Sequence, residues 1–253
     1  MAVDDFSFLK GRTYGTVFIN HKTHRYVDII DTRTKDEVVE RLKLFKNISI
    51  VTRDRGRSYG SAIKEALPKA IQIADIFHLD KNLTDKVQEY IKSELSSKIY
   101  LDKDYNIVES KCNAEHTIYR SKIINAMFKG LNSLSRKDIK PIKKILKQKS
   151  DLNIIIREVY KFRNITNNRD ERGLKGIFKK WRKSHISLLK TYMRGIDEDL
   201  DAVTNSVKHK ETNGLAEGKI NKLKTTKRML YGRASSELLK SRLFLSDYFH
   251  SIE

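Results

Sequence analysis

The chain has one cysteine, Cys112, and two prolines in 253 residues. A single cysteine excludes an intramolecular disulfide and any zinc site built on cysteines, and it fits a reducing cytosol. So few prolines argue against disordered linkers. No apolar run approaches the roughly 20 residues that span a bilayer, and the first residues lack the apolar stretch of a signal peptide. No segment combines basic residues with exposed Trp and Phe as membrane-surface helices do. No internal repeat or low-complexity stretch is present. These absences leave a folded, soluble, intracellular protein with no membrane partner.

What is abundant is positive charge. The formal net charge is +20, with 33% of residues charged, so a polyanion is the expected partner. Residues 1–85 carry 15 Lys and Arg against 12 Asp and Glu, whereas residues 86–253 carry 37 against 20. A metal-binding core with a basic clamp has this asymmetry, and so does a globular domain followed by a nucleic-acid-binding region.

The first 80 residues predict strands alternating with helices. Ala2-Val3 reads as a very short strand running into Asp4-Asp5. Tyr14 to Asn20 and Arg25 to Asp31 are β-rich and joined at hairpin length. Thr34-Lys35-Asp36-Glu37 reads as a capping box before the helical face of Val38, Val39, Leu42 and Phe45. Ile48 to Thr52 is a strand leading to Arg53-Asp54-Arg55, Tyr59 to Leu67 a second helix closed by Pro68, and Ala70 to Ala74 a fifth strand ending at Asp75. The order βββαβαβ predicts an α/β fold with a mixed sheet covered by helices. From Leu83 onward strand patterns vanish, apart from a turn or short hairpin near Asp102 to Asn106, and helices are expected to the end. The expected divisions are 1–82, an all-helical insertion at 83–205, and 206–253.

Two basic stretches lie in that region. Arg136 to Lys149 interleaves basic residues with Ile139, Ile142, Ile145 and Leu146, and Lys175 to Lys183 surrounds Trp181. Each reads either as the solvated face of a packed helix or as a phosphate contact. Near the C-terminus, Glu217, Asn221, Lys224 and Arg228 fall at i, i+4, i+7 and i+11, on one stripe of one helix. Ile220, Leu223 and Leu230 form a separate apolar stripe. An acid heading a row of amide and basic groups suits a metal beside a phosphate chain; an ordinary solvated face is the alternative.

Three acids stand out by position: Asp4 after the first strand, Asp54 after the fourth, and Glu217 on the late helix. Ligands gather beyond the carboxyl ends of parallel strands, so adjacent first and fourth strands would bring Asp4 and Asp54 together. Three converging carboxylates repel unless cations lie between them, which implies hard divalent ions, Mg²⁺ or Mn²⁺. Two such ions stabilise both the attacking and leaving oxygens of a phosphoryl displacement.

The segments Val3 to Gly11, Arg53-Asp54-Arg55, Ala74-Asp75-Ile76-Phe77-His78, Glu217 to Lys224, Lys227-Arg228 and Tyr231-Gly232-Arg233 resemble, in the same order, the catalytic domain of bacterial insertion-sequence transposases, specifically the ISL-three group of the DDE class. The resemblance covers residues 1–85 and about 200–245. It implies a ribonuclease-H-like fold interrupted by a helical insertion before the last acid. It implies metal-dependent cleavage of double-stranded DNA at an element's ends, followed by attack of the freed 3′-hydroxyl on target DNA. It also implies a homo-oligomeric synaptic complex in the bacterial cytoplasm, associated with the nucleoid.

By resemblance, Asp4, Asp54 and Glu217 are the catalytic acids and the ligands of two Mg²⁺ or Mn²⁺ ions. Asp5 remains a rival to Asp4, and Asp201 and Glu211 are rivals to Glu217. Asp75 and His78 match an acid–histidine pair in related transposases; His78 contacts the scissile phosphate, positions an active-site group, or is a hydrogen-bonded structural histidine. Lys224, Lys227 and Arg228 are the implied DNA contacts, and Asn221 either contacts DNA or orients Glu217. Trp181 reads as core, with a base-holding role as the alternative; Tyr231 is expected to pack, and Cys112 to be unreactive.

The family pattern also includes an N-terminal zinc-binding and helix-turn-helix region that this sequence does not display. The expectation is therefore a truncated catalytic domain with a shortened first strand. A non-catalytic DNA-binding remnant or regulator is the second reading, and an RNA-associated structural protein the third.

Overall fold

The computed structural model describes residues 1–9, 13–231, 233 and 235–249; Lys10, Gly11 and Gly232 of the quoted motifs lie outside them. In chain order the elements begin with β1 (Ala2–Leu9), β2 (Thr13–Ile19), β3 (Tyr26–Ile30), α1 (Lys35–Lys43), β4 (Ile50–Arg53), α2 (Arg57–Ala66), β5 (Ile71–Ala74) and α3 (Ile76–Glu94). Next come β6 (Lys98–Leu101), β7 (Ile107–Val108), β8 (His116–Tyr119), α4 (Arg120–Lys129), α5 (Arg136–Gln148), α6 (Ser150–Asn167), α7 (Glu171–Arg182) and α8 (Ser187–Asp197). The last are α9 (Leu200–Lys208), α10 (Gly214–Met229) and α11 (Ser236–Phe249). Two compact units emerge: residues 1–78 with 199–253, and residues 79–198.

The first unit is built on a five-stranded mixed sheet of order β3-β2-β1-β4-β5. β2 runs antiparallel to β1 and β3, while β4 runs parallel to β1 and β5. The eight-residue β1 lies at its centre, so the expected truncation of the first strand is corrected: Asp4 is in mid-strand, not at its end. The short reading arose because Asp4 and Asp5 interrupt the apolar pattern, which resumes at Phe6, Phe8 and Leu9.

Alternation along β1 sends neighbouring residues to opposite faces. Ala2 and Phe6 pack with Ala216, Ile220 and Leu223 of α10 and Leu239 and Leu243 of α11. Val3 joins Val38, Val39 and Leu42 of α1 and Tyr59, Ala62 and Ile63 of α2 on the other face. Each fully buried aliphatic side chain contributes about 1.5–3 kcal/mol. Gly15, opposite Phe6, is required by close approach: a Cβ there would stand 2.5 Å from the Ile30 carbonyl and 2.7 Å from the Phe6 and Phe8 rings. The expected capping box of α1 takes another form. Thr34 is at the N-cap, but its hydroxyl donates to Glu37 Oε2 at 2.6 Å and caps no backbone N–H.

Both edge strands are covered by polar side chains from the C-terminal helices. Asp247 of α11 accepts the Tyr26 N–H of β3 at 2.9 Å, and Asn205 of α9 donates to the Gln72 carbonyl of β5 at 3.0 Å. Asp247 also takes Lys219 at 2.7 Å and Lys222 at 3.0 Å. Burial pushes its carboxyl up, but these donors outweigh burial and hold it below the ordinary carboxylate value.

The second unit corrects the all-helical expectation for residues 83–205, because β6, β7 and β8 form a three-stranded antiparallel sheet of order β7-β6-β8. Its strands are two to four residues long, and the expected turn or short hairpin at Asp102 to Asn106 joins β6 to β7. Trp181 is fully buried against Phe162, Phe178 and Tyr192, and its Nε1–H donates to Glu158 at 2.7 Å. It is core, with no face open to a base. Among the described residues no helix is long and apolar enough to cross a membrane.

Candidate active site

β1 and β4 pair in parallel with Ala2 opposite Thr52 and Val3 opposite Arg53. One step further in that register, Asp4 meets Asp54. The spacing in the chain is 50 residues, but hydrogen bonding between two strands makes them neighbours.

Asp4 shares the sheet face of Ala2 and Phe6, the face covered by α10. Burial pushes its carboxyl up to about 7, opposed by the Asp5 N–H donated to it at 2.8 Å and reinforced by the negative charges of Asp54 and Asp5. Asp5 points to the other face and pairs with Arg33 at 3.0 Å. Asp54 accepts the Arg55 N–H at 2.6 Å through one oxygen and His78 Nδ1 at 3.0 Å through the other. Because a carboxylate only accepts, His78 carries a proton on Nδ1.

Asp75 has a second task. Its Oδ1 accepts the Phe77 N–H at 2.8 Å at the start of α3. Burial raises its carboxyl, the Phe77 hydrogen bond and His78 oppose that, and Asp54 adds to it. His78 thus pairs with Asp54, while Asp75 caps the helix that carries His78.

Two positioning residues escaped the sequence reading. Asn213, 2% exposed at the N-cap of α10, donates from Nδ2 to Asp4 Oδ2 at 3.2 Å and accepts the Thr52 hydroxyl on Oδ1 at 3.1 Å. Thr52 has one hydroxyl proton and gives it to Asn213. The His21 Nε2 that lies 3.0 Å from the same hydroxyl is therefore the donor. Burial lowers His21 to about 4, so this ring is neutral with its proton on Nε2. A polarised chain, His21 to Thr52 to Asn213 to Asp4, runs from the turn after β2 through β4 and the N-cap of α10 to β1. An isolated Asn before a helix reads only as a cap, and nothing in its spacing marks a contact 209 residues away.

The second is Arg53. It is 2% exposed and clamps Asp199 with Nη1 at 3.0 Å and Nη2 at 2.6 Å, takes Gln72 at 2.7 Å, and donates to the Asp54 carbonyl at 3.1 Å. A Cβ on Gly60 would stand 3.0 Å from its Nη2. Arg53 thereby fixes the backbone of Asp54 and the start of α9 together. A basic residue ending a buried strand was the available signal.

α10 packs Ala216, Ile220 and Leu223 against the sheet, and the neighbouring stripe of Glu217, Asn221, Lys224 and Arg228 is exposed. Glu217 stands one turn beyond Asn213, its N–H bonded to the Asn213 carbonyl at 3.2 Å, and about 40° round the helix from it. Its side chain makes no hydrogen bond or ion pair among the described residues. Lys227 lies off that stripe and approaches the Ser7 carbonyl at 3.4 Å; Arg228 donates to Thr225 at 3.3 Å. Asp201 is exposed on α9, and the charge of Glu211 acts on His21. The charges that bear on Asp4 are those of Asp54, Asp5 and His78. Among the described residues no group of three His, Cys, Asp or Glu side chains stands ready to hold a metal ion. Tyr231, expected to pack, is 89% exposed.

No curated protein and no solved structure matches the chain. The family model DDE_Tnp_ISL3, described as Transposase, matches residues 1–243. With two acids meeting across parallel strands in the order that the motifs require, the chain belongs to this ISL3 family of DDE transposases.

Proposed function

We propose that this protein carries out metal-dependent cleavage and strand transfer of double-stranded DNA, with Asp4, Asp54 and Glu217 as its catalytic acids on a ribonuclease-H-like core. The observation that carries the reading is the meeting of Asp4 and Asp54 at adjacent parallel strands, where the repulsion between them raises an already buried Asp4 carboxyl. The strand order β3-β2-β1-β4-β5 with β2 antiparallel supports the ribonuclease-H-like assignment.

The residues present fit a hard divalent cation. A half-buried carboxyl beside a second carboxyl is the charge arrangement that a cation stabilises and that water alone does not. Mg²⁺ or Mn²⁺, as two ions, would be held by Asp4, Asp54 and Glu217 and supplies electrostatic stabilisation to the attacking and leaving oxygens of a phosphodiester.

The remaining work belongs to the chain's own groups. His78 fixes the orientation of Asp54 through Nδ1. Asn213 holds Asp4 with one amide hydrogen, and Arg53 sets the backbone at Asp54. The exposed stripe of Asn221, Lys224 and Arg228 offers donors to DNA phosphates beside Glu217. Lys227 sits at the foot of that stripe.

Nicking of supercoiled plasmid in Mn²⁺ tests the proposal. Wild type should yield nicked and linear product, and Asp54→Asn and Glu217→Gln should not. The second reading, a DNA-binding remnant without catalysis, is favoured by the exposed Glu217 that touches neither Asp4 nor Asp54. It predicts DNA binding with no nicking in any metal, and identical behaviour of Glu217→Gln.

A further inference from the structure

The second unit carries 28 Lys and Arg against 15 Asp and Glu, a net of +13. Part of that charge is gathered in a groove of about 590 Å³. One wall is the turn between β6 and β7, with Lys103, Asp104 and Tyr105; the other is α5, with Lys140, Lys143, Lys144 and Lys147. These four lysines fall at i, i+3, i+4 and i+7, a single stripe. The opposite side of α5 buries Pro141, Ile142, Ile145 and Leu146. Packing of the apolar side therefore fixes which way the lysines face. None of the four makes an ion pair among the described residues. Lysines that only decorate a helix commonly pair with acids one turn away, and this stripe has no such acid.

The facing wall is held in shape. The Asp102 carboxylate accepts the N–H groups of Asp104 at 2.9 Å and Asn106 at 2.8 Å and the Asn106 amide at 3.0 Å. It is thus occupied, and Asp104 is the one acid on the lining. Gln148, at the end of α5, accepts the Ile107 N–H at 3.1 Å and donates to the Tyr105 carbonyl at 3.3 Å, fastening the hairpin to the helix. Tyr105 takes a left-handed φ of 63°, a conformation unusual for a bulky residue. Its ring lies 5.3 Å beneath the Lys140 ammonium and 4.7 Å from the His116 ring. The groove is a built feature, with the Tyr105 ring on one side and a wall of four lysines that outnumber the acid on its lining.

We propose that this groove binds one strand of the phosphate backbone of duplex DNA, with the α5 lysines on successive phosphates. The stripe from Lys140 to Lys147 spans about 10 Å, and a DNA strand places one charge per roughly 3.4 Å of axis, so about three phosphates span it. The choice of DNA as occupant rests on the proposed function; the site itself shares no residue with the acids.

The test is fluorescence anisotropy of a labelled duplex with the full chain in EDTA, between 50 and 200 mM salt. The fourfold variant Lys140→Gln, Lys143→Gln, Lys144→Gln, Lys147→Gln is compared with a control of equal charge loss at the exposed Lys22, Lys46, Lys64 and Lys69. Gln has nearly the helix propensity of Lys, so α5 is retained, which circular dichroism checks. The groove variant should lose about tenfold or more in affinity at 100 mM salt, and its log–log salt slope should fall by about 3–4. The control should stay within about twofold. Equal losses in the two variants would mean that binding follows net charge and would overturn the site, as would an unchanged groove variant. A greater loss on duplex RNA than on duplex DNA would reassign the occupant. Asp54→Asn should bind as wild type does, so loss of catalysis and loss of the groove are separately visible.

Discussion

The two units use charge in opposite ways. The first, net +7 by the same count, turns charged and polar groups inward: Asp4, Arg53, Asn213 and Asp247 are buried or nearly so, and each holds another element in place. The second, net +13, also buries Asp138 and Glu158, the latter against Trp181 and Lys180, but shows many more lysines outward on helices whose inner faces are largely apolar. Chemistry on a phosphodiester needs acids fixed in position, whereas holding a polyanion needs only a dense, accessible positive surface. Substitutions in the first unit should therefore change rate or stability, and those in the second affinity.

The largest test of that contrast is Asp54→Asn. Removing an acid that holds a metal forfeits several kcal/mol of transition-state stabilisation, so plasmid nicking should fall about a thousandfold or more with DNA affinity unchanged. A parallel loss of affinity would break the contrast.

Asp247→Ala comes next. It strands Lys219, whose side chain is 15% exposed, and frees the Tyr26 N–H, so chemical denaturation should show a loss of about 3 kcal/mol. The sign with pH follows from the lowered carboxyl. The stability it contributes is full above the ordinary carboxylate value and is lost as pH falls through the lower folded value. Asp247→Asn should flatten that acid limb of the stability profile.

Asn213→Ala should lower nicking by about 10- to 100-fold, as loss of a group supporting a metal ligand does. The effect should appear in kcat, with DNA affinity unmoved. A structural role alone would lower the melting temperature without a separate kcat effect.

A test of the opposite sign is Asp4→Asn in EDTA. The folded pKa of about 7 exceeds the unfolded one, so native protein binds the extra proton and stability declines as pH rises from about 4 to 7. The variant escapes that decline and should melt higher than wild type at pH 8. Adding Mn²⁺ should raise the melting temperature of wild type and leave Asp4→Asn where it was.

Much of the first unit was legible because its signals are local. Alternation in β2 and β3, the apolar faces of α1 and α2, and the stripe of α10 each follow from spacing of a few residues. Asp4 and Asp54 could be paired because parallel order was implied by the helices between strands. The miss at β1 arose where Asp4 and Asp5 broke the alternation; the turn at Asp102 to Asn106 was legible and joins β6 to β7, whereas β8, with one buried side chain in four residues, left no alternation to read. Asn213 and Arg53 were invisible in another sense. Their partners lie 209 and 146 residues away, and a side chain's long-range partner leaves no local pattern. The exposed Tyr231 shows the same limit, since an aromatic near an apolar stripe reads as packed until the helix is seen to end at Met229.

The polar covering of the two sheet edges carries a consequence for synthesis. Asn205 and Asp247 lie 131 and 173 positions after Ala74, the last residue of β5. At 5–20 residues per second, a ribosome takes roughly ten to thirty seconds to travel from that strand to Asp247. Throughout that interval the nascent sheet has open edges, and its α10 face lacks the residues that cover it. The intervening 120 residues fold around a core of their own, so the half-made protein is a finished basic body joined to an unfinished sheet, exposed to pairing with the neighbouring chain on the same polysome.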